Sequence, residues 1–197
     1  MYFHQLTGGL LQQNAYLYGE EGALFLIDPG SHAKDWIAYL EEQGLTLTAM
    51  LLTHGHFDHV GAVEELRDRL GVPLWMHEGD HIMLSDFEWR GGHNKTPLRP
   101  ADRFLSDGEQ IGNLTVLHTP GHSLGSVCYL APDRIFTGDT LFEGTIGRTD
   151  FRGGSFETME KSLARLRTLS PDLTIYAGHG AETTIAQELA HNPYLRG

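Results

Sequence analysis

Short apolar runs and period-two alternations recur along the chain, each closed by Gly, Pro, Asp or Asn, and between them lie stretches whose apolar positions recur every three or four residues. The first pattern predicts strands and the second helices. Residues 2–7 and 14–18 read as strands joined through Gly8-Gly9. Ala23–Ile27 is an apolar strand that runs into an Asp28-Pro29-Gly30 turn. Ser31 is placed to cap the next helix, whose apolar face is Trp36, Ile37, Tyr39 and Leu40 and whose stop is Gly44. Leu47–Leu52 is a strand. A helix with Val63, Leu66 and Leu70 on one face then stops at Gly71, with Pro73 just beyond. Leu74–Met76 predicts a strand, and a short helix is expected around Asp80–Leu84. Residues 86–110 are rich in Gly, Pro, Asp and Asn; such a stretch reads equally as the rim of a site or as a surface excursion. Further strands are expected at Leu114–Leu117, Ser126–Leu130, Ile135–Thr137 and Leu173–Ala177. A helix started near Ser155 carries Met159, Leu163 and Leu166, and a last one covers roughly 184–190 before Pro193.

Strands and helices alternate without a long linker, a low-complexity tract or a charge run. Each half has strands, then an aspartate at a strand end (Asp28, Asp139), then a helix. The expectation is two α/β halves forming one domain over 1–197.

Polar residues with metal-binding chemistry gather where the predicted strands end. Thr53-His54-Gly55-His56-Phe57-Asp58-His59 places three imidazoles and a carboxylate within six residues. In extended chain, side chains at i and i+2 point the same way, so His54 and His56 can grip one ion, while Asp58 and His59 lie past the bend and can aim at a second point. Imidazole and carboxylate together suit zinc, iron and similar ions. His122, Asp139 and His179 also follow predicted strands. Seven such side chains along one sheet edge suit two ions, and one aspartate shared between them would leave each open to water.

Composition narrows the partners. Lys+Arg 14 against Asp+Glu 26 gives 14 − 26 = −12, and so acidic a surface repels phosphate backbones, which argues against nucleic acid. No apolar run reaches membrane-spanning length and no signal-type segment opens the sequence. Cys128 is the single cysteine, flanked by Val127, Tyr129 and Leu130, which reads as a buried strand position and not a nucleophile. A cytoplasmic protein is expected, with no membrane partner. The sequence does not fix the oligomeric state, and a monomer is compatible with it.

The pieces Thr53–His59, Thr119-Pro120-Gly121-His122, Phe136–Phe142 and Tyr176-Ala177-Gly178-His179 together resemble the metallo-β-lactamase superfamily, and within it the hydrolases related to glyoxalase II. The resemblance implies a four-layer αββα sandwich with the metals at the edge between two sheets. It implies a first metal on His54, His56 and His122, a second on Asp58, His59 and His179, and Asp139 bridging both. His118 falls outside that pattern, and Asp28 is expected either to orient a ligand imidazole or to serve as a turn residue before Pro29. The implied cofactor is two divalent ions, zinc first, with iron or manganese accepted by the same donors. The implied reaction is hydrolysis of a small thioester, S-D-lactoylglutathione to D-lactate and glutathione, with Asp58 orienting the attacking hydroxide and taking its proton. Arg148 and Phe142 are the expected substrate contacts, Arg148 standing near where the family places a glutathione-binding lysine; bracing of its own loop against Asp150 is the equal alternative for Arg148. The sequence runs 18 residues past His179 (197 − 179) and has Gly180-Ala181 where the longer enzymes have a pair ending in a glutathione-binding tyrosine. A short form without the C-terminal helical domain, holding glutathione weakly, is therefore expected. Two alternatives stand beside this reading. One is a mononuclear-iron persulfide dioxygenase of the same superfamily, which shares the Gly147-Arg148-Thr149-Asp150-Phe151 stretch. The other is a metal-binding protein without catalysis.

Overall fold

The computed structural model describes residues 1–93 and 95–196. Strands β1 (Tyr2–Gly8), β2 (Gln13–Glu20), β3 (Ala23–Ile27), β4 (Ala49–Leu51), β5 (Leu74–His77) and β6 (Arg103–Leu105) form one sheet in that order. Its first three strands are antiparallel and β3 to β6 run parallel. Strands β7 (Gln110–Ile111), β8 (Leu114–His118), β9 (Val127–Leu130) and β10 (Arg134–Gly138) belong to a second sheet. The ribbon β11 (Leu141–Phe142) and β12 (Thr145–Ile146) stands apart, and β13 (Thr174–Ala177) and β14 (Thr183–Thr184) complete the second sheet in the order β14-β13-β10-β9-β8-β7.

Period two in the strands decides the layering. Along β2 to β5, Leu17, Leu24, Leu26, Met50 and Leu74 face one way, against α1 (Ala33–Gln43) and α3 (Val63–Leu70), where Trp36, Ile37, Leu40, Val63 and Leu66 meet them. The alternate residues Tyr16, Tyr18, Phe25, Ile27, Ala49 and Leu51 face the second sheet and meet Leu114, Val116, Val127, Tyr129 and Phe136. The remaining side chains of that sheet, Leu117, Cys128, Ile135 and Ile175, pack on α5 (Phe156–Leu166) and α6 (Ile185–His191) through Met159, Leu163, Leu166 and Ile185. Three apolar interfaces between four layers make the expected αββα sandwich, and the central strands β2, β3, β4, β9 and β10 are buried on both faces because both are covered.

Several local expectations shift. The helix after β3 begins at Ala33, and the residue before it, His32, is left-handed and offers no side-chain cap, so Ser31 does not cap it. The helix expected after the histidine cluster is α3, a separate short turn α2 (Phe57–Val60) lies within the cluster, and the short helix expected around Asp80–Leu84 is α4 (Ile82–Ser85). Gly61 lies at the break between α2 and α3, pressed on the preceding turn, where an added Cβ would sit 2.3 Å from Gly30 O. Ser155 does cap α5, accepting from Thr158 N–H. The irregular stretch 86–110 contains β6 and the start of β7, and ahead of β6 it leans on the cluster: Phe57 N–H donates to Arg90 O at 3.0 Å. Strands β6, β7, β11, β12 and β14 have two or three residues each, too few for a period to show.

At one edge the two sheets are hydrogen-bonded directly. Val127 N–H donates to Thr53 O at 2.8 Å and Asn14 N–H to Gly178 O at 2.8 Å. Tyr129 Oη donates to Leu52 O at 2.7 Å and Tyr16 Oη to Ala177 O at 2.6 Å. These bonds tie the end of β4 to β9 and the end of β13 to β2, and the polar cluster stands at that edge. Among the described residues no helix is long and apolar enough to cross a membrane.

Candidate metal centre

All seven side chains expected at the site meet at this edge. His54 and His56 follow β4, Asp58 and His59 lie on α2, and His122, Asp139 and His179 follow β8, β10 and β13. Two groups have donor atoms within 4.8 Å of one another, His54 with His56 and His122, and Asp58 with His59 and His179. Asp139 lies between them. Its Oδ2 is 3.6 Å from His122 Nε2 and 3.7 Å from His179 Nε2, and its Oδ1 is 3.3 Å from His59 Nε2. This closeness depends on Gly178, where a Cβ would fall 2.3 Å from Asp139 Oδ1 and 2.7 Å from the His59 ring.

The outer hydrogen bonds decide which ring nitrogen faces inward. His59 Nδ1 meets Asp28 Oδ2 at 2.9 Å, His122 Nδ1 meets Arg148 O at 2.7 Å, and His179 Nδ1 meets Leu11 O at 3.1 Å. Carboxylate and carbonyl oxygens can only accept, so each Nδ1 carries a proton and each Nε2 faces inward, where it can give its lone pair to a cation or, without one, hold a second proton. Thr53 Oγ1 donates to Asp28 Oδ2 at 2.5 Å, which leaves it to accept from His54 Nδ1 at 3.1 Å and gives His54 the same tautomer. His56 is the reverse case, with Nδ1 facing inward 2.8 Å from His122 Nε2.

Lone pairs brought that close repel unless a cation or proton stands between them. Among the described residues, the inward Nε2 atoms of His54 and His59 and Asp139 Oδ1 are buried without a hydrogen-bond partner. That combination, inward lone pairs on a dry and tightly supported frame, fits divalent cations. A third grouping, Asp28 with His54 and His59, does not offer a further ion site. Asp28 already accepts from Thr53 N, Thr53 Oγ1 and His59 Nδ1. It orients His59, one of the two roles the sequence left open.

The electrostatics differ across the site. Burial, aided by neighbouring imidazoles, pushes His54 well below its ordinary value and His56 down to about 3, so this side presents neutral donors. Burial also opposes charge on His59, but Asp139 and Asp28 override it and hold that imidazole well above its usual range. Burial would raise Asp139 and Asp58, yet His59 beside Asp139 and the His179 hydrogen bond to Asp58 keep both carboxyls below theirs.

A cavity of about 270 Å³ opens onto these groups, walled by Leu11, Phe57, Phe142 and Phe151 and reached by Gly91 and Arg148. Phe142 and Arg148 were expected there; Leu11, Phe57 and Phe151 were not assigned roles. An exposed apolar pair, Leu10-Leu11, in the turn between the first two strands was the available signal. The Arg148 guanidinium donates through Nε and Nη2 to the two oxygens of Asp150, both at 2.7 Å, and lies over the Phe151 ring. His118 stays outside the cluster, stacked on His77 with its Nε2 3.0 Å from Leu124 O. Cys128 is fully buried on β9 and burial pushes its thiol up to about 11.

Residues 8–179 match the model of the metallo-beta-lactamase superfamily. The chain belongs to the metallo-β-lactamase superfamily. Within it, the hydroxyacylglutathione hydrolase GloC of Haemophilus influenzae is 40% identical, with 93% of each chain covered. The BLEG-1 B3 metallo-beta-lactamase superposes with a TM-score of 0.91 at 38% identity over 100% of both chains. TTHA1623, solved in a di-iron-bound form, superposes with a TM-score of 0.87 at 38% identity over 98% of this chain and 100% of its own. The sandwich is thus the superfamily's fold, and the chain is a relative of the hydroxyacylglutathione hydrolases in a superfamily of metal-dependent hydrolases.

Proposed function

We propose that the chain is a binuclear metal-dependent thioester hydrolase of the glyoxalase II type, with S-D-lactoylglutathione as its reference substrate. The observation that carries this reading is the convergence of five imidazoles around Asp139, four of which, His54, His59, His122 and His179, have the inward nitrogen selected by an outer hydrogen bond. His54, His56 and His122 would hold one ion and Asp58, His59 and His179 the other, with Asp139 shared. Zinc is the proposed ion, with iron or manganese as substitutes. In this reading 1–197 acts as one catalytic domain in the cytoplasm and needs no partner other than substrate.

Two bound cations supply a polarised carbonyl and a water acidified to near neutral pH. The chain's own residues do the rest. Asp58 Oδ2, 3.1 Å from His179 Nε2, orients the nucleophile and takes its proton. Phe142 and Phe151 shield the thioester from bulk water. Arg148 is the candidate contact for the thiol half, and a substrate carboxylate reaching its fork competes with Asp150.

The test is anaerobic assay of a thioester panel on purified protein, with metal analysis. We expect two equivalents of metal and oxygen-independent cleavage; Asp139→Ala should lose both metal and activity. Absence of cleavage across the panel, or full metal content in Asp139→Ala, refutes the reading. The Gly147–Phe151 stretch, which contributes to the cavity wall, favours a second reading, persulfide oxidation at one iron. Oxygen uptake with glutathione persulfide and no thioester cleavage would establish it. Since BLEG-1 is described as a B3 metallo-beta-lactamase, a cephalosporin belongs in the panel.

A further inference from the structure

Asp28, Leu11 and Arg148 provide oxygens that turn imidazoles; one buried carboxylate nearby has no part in that set. Asp80 closes the single 3₁₀ turn Glu78–Asp80 after β5 and has no exposed surface. Its Oδ1 accepts from Gly125 N–H at 2.6 Å, and its Oδ2 accepts from Gly55 N–H at 3.1 Å and from Ser123 Oγ at 2.6 Å. Gly55 stands between His54 and His56. Ser123 follows His122, and Gly125 lies two residues further. One carboxylate therefore ties together the two loops that carry the first group of imidazoles, from a part of the chain that supplies none of them.

We infer that Asp80 is the positioning residue of that group, fixing how far the His54–His56 arm stands from the His122 arm. The inference rests on the proposed metal reading. A buried carboxylate is costly unless its oxygens are satisfied, and here three donors from two loops satisfy it, so neither loop can move without unpairing it. The packing leaves no slack, since an added Cβ at Gly125 would lie 2.5 Å from Asp80 N and 2.8 Å from Asp80 Cγ. Metal–donor distances tolerate only about 0.2 Å, so a loop shift of that size weakens binding. The second group has separate anchors, Asp28 on His59 and the Leu11 carbonyl on His179.

Asp80→Asn keeps the volume but sets an amide NH₂ against a backbone N–H of one loop or the other. Ser123→Ala removes one of the three donors and leaves the Asp80 carboxyl itself in place. Dissociation constants for both ions would be measured by competition with a chromophoric chelator, the two steps being assigned with His122→Ala and His179→Ala. Asp80→Asn should weaken the first-group ion about tenfold and leave the second within about twofold, and Ser123→Ala should act the same way with a smaller shift. Equal weakening of both ions in folded protein, or no change in either variant, overturns the inference. If Asp80→Asn does not fold, an unaltered first ion in Ser123→Ala overturns it alone. A native chain that binds no metal refutes the proposed function as well, whereas a native chain with two ions and unaffected variants refutes only the role of Asp80.

Discussion

Asp28→Asn tests the tautomer argument directly. The native carboxylate is 2% exposed and accepts three hydrogen bonds, from Thr53 N at 2.7 Å, Thr53 Oγ1 at 2.5 Å and His59 Nδ1 at 2.9 Å. An amide has one accepting oxygen. If that oxygen stays on Thr53 N–H, the NH₂ faces His59 Nδ1–H, and the ring escapes the clash only by moving its proton to Nε2. That proton then points at Asp58 and Asp139, where the lone pair belongs. A hydrogen bond to a charged group contributes about 1.5–3 kcal/mol, and about 1.4 kcal/mol is a factor of ten in affinity, so the ion on Asp58, His59 and His179 should weaken roughly 10- to 100-fold. His54 is one bond further removed, through Thr53 Oγ1, and its ion should weaken less. Competition titration with a chromophoric chelator, with circular dichroism to confirm the fold, measures both constants. Native affinity at the second group, or a larger loss at the first, would refute the reasoning.

Three more outcomes are expected. His122→Ala should lose the first ion, while His118→Ala should keep both because its ring bonds Leu124 O and stacks on His77; metal analysis of the two variants decides. Arg148→Ala should raise KM for lactoylglutathione more than it lowers kcat, with no effect on an uncharged thioester; equal effects on both substrates would remove Arg148 from thiol recognition. Cys128 should resist thiol reagents in the native state. Its folded pKa is raised to about 11 from 9.0, so its stability contribution is full below pH 9 and is lost as pH rises through about 11. Denaturant midpoints of the protein and of Cys128→Ala should therefore diverge less above pH 9 than below it, and a constant gap would contradict the linkage.

The sequence determined a good deal by itself. Alternation along Leu24-Phe25-Leu26-Ile27 and Met50-Leu51 marks strands buried on both faces, because both side-chain rows are apolar. The motif His54–His59 was legible because its spacing puts several donors within reach of a common point, a local property of backbone geometry. Asp28 could be suspected from its place at a strand end. What could not be read locally depends on groups far apart in the chain. Leu11 turns His179 across 168 positions and Arg148 turns His122 across 26, both through backbone carbonyls, which every residue has and no side-chain pattern marks. Asp80 looks like an ordinary turn residue until Gly55, Ser123 and Gly125 are folded onto it. The pairing of Arg148 with Asp150 was one of two local options, and tertiary placement over Phe151 at the cavity wall gives it its consequence. Donor types and strand periods are written into short stretches of chain. The inward face of His59, His122 and His179 is set by an outer partner remote in the chain, and for His179 that partner, the Leu11 carbonyl of the first sheet, is reached only once the two sheets have closed on each other.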